Sequence, residues 1–499
     1  RWNTDSESVI GDASLAFDVG QTGELTVQFT DITQNLGGNR LRGVPADDNG
    51  NFLTDRRWNH NEASDFLDMD AKVVLAQYRF APASNWDVDV AARWFENNEH
   101  QIYHEPMGLI DRDRDGTAEW MTRQLRNQFR SNDAFTASGN AVWRTDTGRI
   151  AHKVLFGADI YQADADFSAQ TANSANLARG AGPVPGIDLF NPVYGVTSYR
   201  DYNLAALPWR STRTRSIRQG VYLQDELTLS PRWHVLAGLR WDGFKDRDRL
   251  AGTAVDGNDL SWRLGSTFSV ADGVNLYANV ASGFVPQAAA NQNSAAGGPF
   301  DAERSRQWEV GMKSLLDERI TLNLAAYRIE RSNIVQATGE VIDGVSQLGT
   351  LGRVRSTGME MDLLADLTER WVLNLTYAYN DARVKEAGSG NITNASGDRF
   401  ANAPQNTLGL WTRYDLPALA SAVGFGASYV DERISLDGQR VKPYTVFDMS
   451  WKTQWQQWQF QLNVKNLFDK VYAASGFTER TGHFPGEPRR VYLQAAYTF

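Results

Sequence analysis

The amino-acid sequence predicts an all-β fold, a large antiparallel transmembrane β-barrel. Three observations lead there: many short segments alternate apolar and polar residues, every second connector is long, and many of the 16 Trp, 17 Tyr and 23 Phe gather at segment ends. A period of two marks a strand with unlike faces. In a membrane barrel the apolar face meets lipid and the polar face lines a wet interior.

Residues 8–18 form the first alternating segment and run into a tight connector at 18–24. Further short connectors fall at 82–85, 145–148, 230–232, 271–273, 316–319 and 368–370, built from the Gly, Pro, Asp and Ser that tight turns favour. Long ones lie between them at 34–66, 98–120, 164–212, 246–259, 286–302, 333–352, 384–401 and 473–488. From Trp233, the residues Trp233, Val235, Ala237, Leu239 and Trp241 share one face, with aromatics bracketing an aliphatic centre. The same pattern places Trp371, Leu373, Leu375, Tyr377 and Tyr379 together, then Trp458, Phe460, Leu462 and Val464. The last segment alternates to the final residue, with Val491, Leu493, Ala495, Tyr497 and Phe499 opposite Tyr492, Gln494, Ala496 and Thr498. Counted this way the chain holds roughly 19 to 20 strands, with no sustained helical period.

Composition closes other routes. No apolar run approaches the ~18 residues of a spanning helix. Cys is absent, which removes disulfide scaffolds, thiol catalysis and cysteine metal sites. Lys+Arg 50 against Asp+Glu 60, interspersed, offers no general nucleic-acid surface. A water-soluble sandwich or propeller would also alternate, but a propeller repeats about every 40 residues and no such repeat occurs.

The last strand descends from a long connector, so the C-terminus is expected on the periplasmic side. The strand at 8–18 descends too, so an even-stranded barrel lacks at least one rising strand before Arg1. The first residues also carry no basic stretch followed by an apolar one. The chain is therefore expected to begin inside a longer protein.

Several stretches resemble the barrel of TonB-dependent siderophore receptors: GVYLQDELTLSPRWHVLAGLRWD (220–242), SGFVPQ (282–287), ERSRQWEVGMKS (303–314), AAYRIERSNIV (325–335), VRSTGMEMD (354–362), NLTYAYNDA (374–382), NVKNLFDKVY (463–472) and GEPRRVYLQAAYTF (486–499). They recur in the family's order through residues 220–499. GIDLFNPVYG (186–195) resembles a loop of the ferric-hydroxamate type. The resemblance implies that residues 1–499 form an outer-membrane barrel domain of a Gram-negative bacterium, with long extracellular loops. The N-terminal plug of such receptors is absent from this chain, and about 22 strands are expected in the full protein. The implied partners are the TonB complex, reached through the absent N-terminal region, a ferric siderophore and outer-membrane lipid. A monomer that binds no nucleic acid is expected. No cofactor is required, and iron enters only as the cargo of the siderophore, which supplies its ligands.

Such a ligand is held by aromatic faces and a few donors, for which the loops offer Tyr103, Trp120, Tyr194, Tyr199, Tyr202, Trp209 and Phe484, with Arg200 and Arg210 nearby. Girdle or loop packing is the competing role at each position. In DRDRDGTAEWMT (111–122), Asp111, Asp113 and Asp115 occupy positions 1, 3 and 5 of a calcium loop, Gly116 position 6 and Glu119 position 9. Thr122 stands where the bidentate Glu belongs, so the alternatives are a weak calcium site in an extracellular loop and a solvated acidic turn. The six histidines, His60, His100, His104, His152, His234 and His483, show no zinc spacing. In place of the block usual in haem receptors stand residues 282–287. Neither a nucleophile elbow nor a phosphate loop occurs, so the chain is not expected to be an enzyme. Glu309, Arg353, Arg355 and Glu360 are expected to line the lumen and pair with a plug. The expected function is TonB-dependent, high-affinity uptake of a ferric siderophore. The alternatives are a receptor for cobalamin, haem or an oligosaccharide, and a passive diffusion pore.

Overall fold

The alternating segments pair into one long antiparallel sheet in the computed structural model, which describes residues 4–38, 40, 43–173, 184–292, 294–342, 345–387 and 395–498. In chain order the first long strands are β1 Asp5–Val19, β2 Gly23–Gly37, β3 Phe66–Phe80, β4 Trp86–Ile110, β5 Trp120–Thr147 and β6 Ile150–Ala172. Next come β7 Arg210–Ser230, β8 Trp233–Asp248, β9 Ala254–Ala271, β10 Val274–Val285, β11 Glu303–Leu316 and β12 Ile320–Ile342. The last are β13 Val345–Thr368, β14 Trp371–Glu386, β15 Asn406–Leu416, β16 Ser421–Val430, β17 Tyr444–Trp455, β18 Trp458–Lys465 and β19 Arg490–Tyr497. A two-residue strand, Ile187–Asp188, brings the sheet to 20 strands, in line with the sequence expectation.

Each long strand ladders antiparallel to the next. Among the described residues no ladder joins β1 to β19, and both are exposed along their whole length. An odd number of long antiparallel strands leaves these two pointing the same way.

Aromatic residues eight positions apart bracket the apolar face: Trp86 and Trp94 in β4, Phe135 and Trp143 in β5, Trp233 and Trp241 in β8, Trp371 and Tyr379 in β14. Eight residues rise ~26 Å along a strand, or ~20 Å once tilted, close to the height of the lipid-facing band. The indoles are tied down at these levels. Trp86 stacks on Trp143 (5.8 Å), Trp94 Nε1 donates to Asp133 (3.0 Å), and Trp371 Nε1 donates to Thr412 Oγ1 (2.7 Å). Between the two levels, aliphatic residues such as Val221 and Leu239 project from the sheet, where lipid would cover them.

The opposite face is polar. Arg240 bonds both Asp159 and Asp242, and Tyr277 donates to Glu309 Oε1 (2.8 Å). Three tyrosines lie flat over glycines of the adjoining strand: a Cβ on Gly157 would fall 2.1 Å from the Tyr222 ring, one on Gly311 2.6 Å from Tyr277, and one on Gly358 2.5 Å from Tyr327. Glycine in a strand interior is used where a neighbour must approach closely. Glu309 and Glu360 share this lumen face, as expected. Arg355 does not. It stands an odd number of residues from Glu360, on the side of the exposed Met359, and reaches across to Glu330 (2.8 Å). Arg353 pairs with Glu386 above a register shift at 353–354, so neither arginine joins Glu360 in a lumen ridge.

Beyond the upper aromatics many strands continue to pair. The connectors at 111–119 and 249–253 are therefore much shorter than the expected 98–120 and 246–259, and strands ending at Ile342 and starting at Val345 occupy most of the expected 333–352, of which 343–344 lie outside the described residues. The connector at 431–443, which sequence reading did not single out, carries its own hairpin, Arg433–Ile434 against Arg440–Val441.

Candidate functional site

The long-loop end of the sheet is capped by a crown built on the extended ribbon of β4 and β5. Residues 101–106 are buried consecutively, so both faces of the ribbon are covered. Alternation runs unbroken along β5 and up to Pro106 in β4, which identifies the faces. Ile102, His104, Arg123 and Leu125 continue the lipid-side face, while Tyr103, Glu105, Trp120, Gln124 and Arg126 continue the lumen side.

On the lipid-side face, segments 58–66 and 184–209 fold over the ribbon. Tyr202 packs with Ile102, Leu125, Ala172 and Leu207, and Tyr199 and Phe66 pack beside it, their rings edge to face at 5.6 Å. Trp58, Met121, Ile187 and Leu189 form a second cluster, with Tyr194 against it. A buried polar network joins the two. Asp65 Oδ1 lies 2.8 Å from His104 Nδ1, and Asp65 Oδ2 accepts from the His104 backbone N–H (2.8 Å). With its proton on Nδ1, His104 accepts at Nε2 from the Tyr202 hydroxyl (3.3 Å), which is 3.0 Å from Thr197 Oγ1. Arg123 donates to Glu62 Oε1 (2.8 Å), His60 O (2.7 Å) and Pro185 O (2.8 Å), and Glu62 Oε2 accepts from Gly195 N–H (2.8 Å). Both members of the Arg123–Glu62 pair are sealed from solvent. Burial pushes the Tyr202 hydroxyl up and that of Tyr194, which donates to Asn59 O, up to about 12. These tyrosines are neutral hydrogen-bond donors at any physiological pH.

The seven aromatic candidates are thus divided. Tyr194, Tyr199 and Tyr202 are packing elements of the crown on its lipid-side face. Trp209 lies on the same side, 47% exposed, with its ring 5.8 Å from Phe129. Tyr103 continues the lumen face but is buried under Arg40, whose guanidinium is 5.5 Å from its ring. Trp120, also on the lumen side, is half-buried, with Arg112 stacked 4.0 Å above it. Phe484 is half-buried in a separate hairpin, Ala473–Gly476 against His483–Pro485, beside Phe477. Around Tyr103 the lumen side carries charge: Glu105 pairs with Arg126 (3.5 Å) and with Arg480 from the last long connector (3.2 Å). Arg200 stacks on Tyr199 at 4.8 Å, and Arg210 is exposed at the start of β7.

Asp111, Asp113 and Asp115 stand at the exposed tip of the ribbon, each offering a carboxylate oxygen within 4.8 Å of the others. Backbone amides already engage them: Asp111 accepts from Arg114, Asp115 and Gly116, and Asp115 accepts from Thr117. The Asp115 N–H draws the Asp113 carboxyl down, but desolvation and the Asp115 and Glu119 carboxylates outweigh it and leave the group above its ordinary range. Glu119 turns back to accept from Arg112 N–H (3.0 Å).

Sequence reading missed Asp65, Glu62, Arg123 and the Trp58–Asn61 run that supports them. The signal available was RWNHNE at 57–62, which crowds Trp, His, Glu and two Asn into what otherwise reads as a connector.

Comparison with known proteins fits this architecture. Residues 8–467 match the family described as TonB dependent receptor-like, beta-barrel. The ferrioxamine B receptor of Salmonella typhimurium is 30% identical over 347 residues, 66% of this chain and 45% of that one. The metal-pseudopaline receptor CntO of Pseudomonas aeruginosa is 29% identical over 295 residues, 56% of this chain and 40% of that one. The chain spans about half the length of these relatives. The solved siderophore receptor PiuA from Acinetobacter baumannii superposes with a TM-score of 0.81 at 18% identity, covering 99% of this chain and 74% of that one, a likeness of fold. The chain therefore belongs to the TonB-dependent receptors of the Gram-negative outer membrane, as their β-barrel and not as an enzyme.

Proposed function

We propose that this barrel serves TonB-dependent uptake of a ferric siderophore, of the ferric-hydroxamate type. The observation that carries the reading is the 30% identity to a ferrioxamine B receptor over two-thirds of the chain. The loop segment GIDLFNPVYG agrees with it. In this reading the siderophore supplies every ligand of its iron, and the crown supplies aromatic surface and charge at the outer mouth. Trp120 and the partly exposed Arg126 and Arg480, both held by Glu105, make the contacts on the lumen side, with Tyr103 packed behind them. In this reading the TonB complex acts through an N-terminal plug seated in the barrel.

The test is binding of a panel of ferric siderophores, hydroxamates first, to the full-length receptor in detergent, read by Trp fluorescence. Saturable binding of the ferric form alone is the expected result. Trp120→Ala should weaken it by about thirtyfold, the scale of a central aromatic contact, and Trp209→Ala by much less. No binding across the panel, with solute conductance in a planar bilayer, would favour a diffusion pore.

A further inference from the structure

On the lumen side of the crown, positive charge outnumbers the carboxylates that could balance it. Glu105 lies 3.5 Å from Arg126 and 3.2 Å from Arg480, and its side chain is 6% exposed where theirs are 27% and 39% exposed. Gln124 Nε2 donates to the same carboxylate (2.5 Å), and Arg480 also donates to Pro106 O (2.7 Å). The acid is thus engaged from within, while both guanidiniums keep surface open to water.

Arg40 adds a third positive charge. Tyr103 is the ladder partner of Arg126, and the Arg40 guanidinium stands 5.5 Å from the Tyr103 ring. Among the described residues Arg40 has no ion-pair partner, and its Nε is buried without a hydrogen-bond partner. The next carboxylate down this face, Glu99, is taken by Arg130 (3.4 Å). Arg112, above, lies beside the acidic turn at 111–115 and stays out of the balance. Three guanidiniums therefore share the single carboxylate of Glu105, on a surface that is partly out of water. Charge left unbalanced in such surroundings interacts far more strongly than it does in bulk water.

We propose that this surface selects ferric complexes of net negative charge, gripping a carboxylate on the periphery of the siderophore, apart from the groups that chelate iron. Guanidinium forks match carboxylate oxygens in pairs, and an anionic ligand supplies the counter-charge that Glu105 alone does not. A cationic complex meets repulsion at the same place. This selectivity rests on the ferric-hydroxamate reading above, which by itself leaves the charge of the ligand open.

Linear ferric trihydroxamates of one chelating core, ending in a free amine, in a succinyl carboxylate or in the methyl ester of that carboxylate, give cationic, anionic and neutral probes. Their binding to the full-length receptor in detergent, read by Trp fluorescence, should rank anionic over neutral over cationic, with about tenfold or more between the extremes. Arg126→Gln combined with Arg480→Gln should shrink that span to roughly twofold, and Arg40→Gln should shrink it part of the way. Glu105→Gln, which removes the balancing charge, should widen it. Equal binding of the three probes, or a span unchanged in the double variant, would overturn the charge selection and leave hydroxamate uptake standing. Binding of none of them would sink the hydroxamate reading and this selectivity with it. Should the double variant not fold, an unchanged span in Arg480→Gln alone would overturn the proposal equally.

Discussion

Between the aromatic levels, a wall residue meets hydrocarbon on one side and lumen water on the other, and the next residue but one repeats its surroundings. A few residues further along β4 and β5 the same chain geometry is buried on both sides, under folded loops. The wall keeps polar groups wet and needs few partners for them. The crown has removed Asp65, His104, Glu62 and Arg123 from water and must pair each one. What stabilises the wall is the solvent around it, and what stabilises the crown is complementarity among a few named side chains. Single changes should therefore act differently in the two regions.

The largest effect is expected at the sealed pair. Arg123→Ala leaves Glu62 buried and uncompensated, which costs ~3–5 kcal/mol. Limited proteolysis should then cut within 43–65 and 184–209 while the barrel still migrates as a folded species. Equal protease resistance in variant and parent would mean that the crown does not depend on this network.

In the wall, Gly157→Val drives a side chain into the Tyr222 ring, and overpacking of that kind costs ~1–3 kcal/mol. Combining it with Tyr222→Ala should recover most of the loss in denaturant unfolding. No recovery would point to backbone strain instead of a side-chain collision.

A smaller effect should follow pH. His483 is sealed in the crown, and desolvation holds its pKa below the usual histidine value, although Nε2 faces Arg440 O at 2.9 Å. With a lowered folded-state value the unfolded chain binds the extra proton first, so the stabilisation is complete above about pH 6.5 and is lost as pH falls toward the folded value. The protection factors of the Val44 and His483 amides, which correct for the intrinsic pH dependence of exchange, should fall between pH 7 and pH 5, and His483→Gln should flatten that dependence.

The faintest effect is expected at the Asp111–Asp115 turn. Calcium should bind there with an affinity of about 10⁻⁴–10⁻³ M, as in weak extracellular loops, and Asp111→Asn should abolish the calorimetric signal. No heat of binding in the parent would leave the turn a solvated acidic loop.

These two regions also differ in how far they can be read from sequence. Trp233 to Trp241 announces a membrane strand by itself, because lipid and lumen impose a two-residue period on any stretch that crosses. The same rule separates Glu360 from Arg355, so placing both in one ridge was an error of parity. No such period marks the crown. His104 looks like a strand-end residue until Asp65, from another connector, lies beside it. Strand ends beyond the membrane were misjudged for the same reason: once neither face meets lipid, 98–110 no longer alternates, although its backbone keeps pairing. Tyr199, Tyr202 and Trp209 were legible as loop aromatics, but the face they occupy depends on how 184–209 folds back.

The crown also ties together distant parts of the chain. Val44 and His483 exchange backbone hydrogen bonds of 2.8 Å each, and Arg56 reaches Asp469 across a separation of 413 residues. Wall hairpins close short segments and can form one after another, whereas these contacts bear the entropy of the longest loops in the molecule. They must wait until the final strands are in place. Pulse-labelled exchange at Val44 would accordingly time the completion of assembly, lagging behind protection in β8 and β9; simultaneous protection would indicate that the first and last loops meet before the wall is finished.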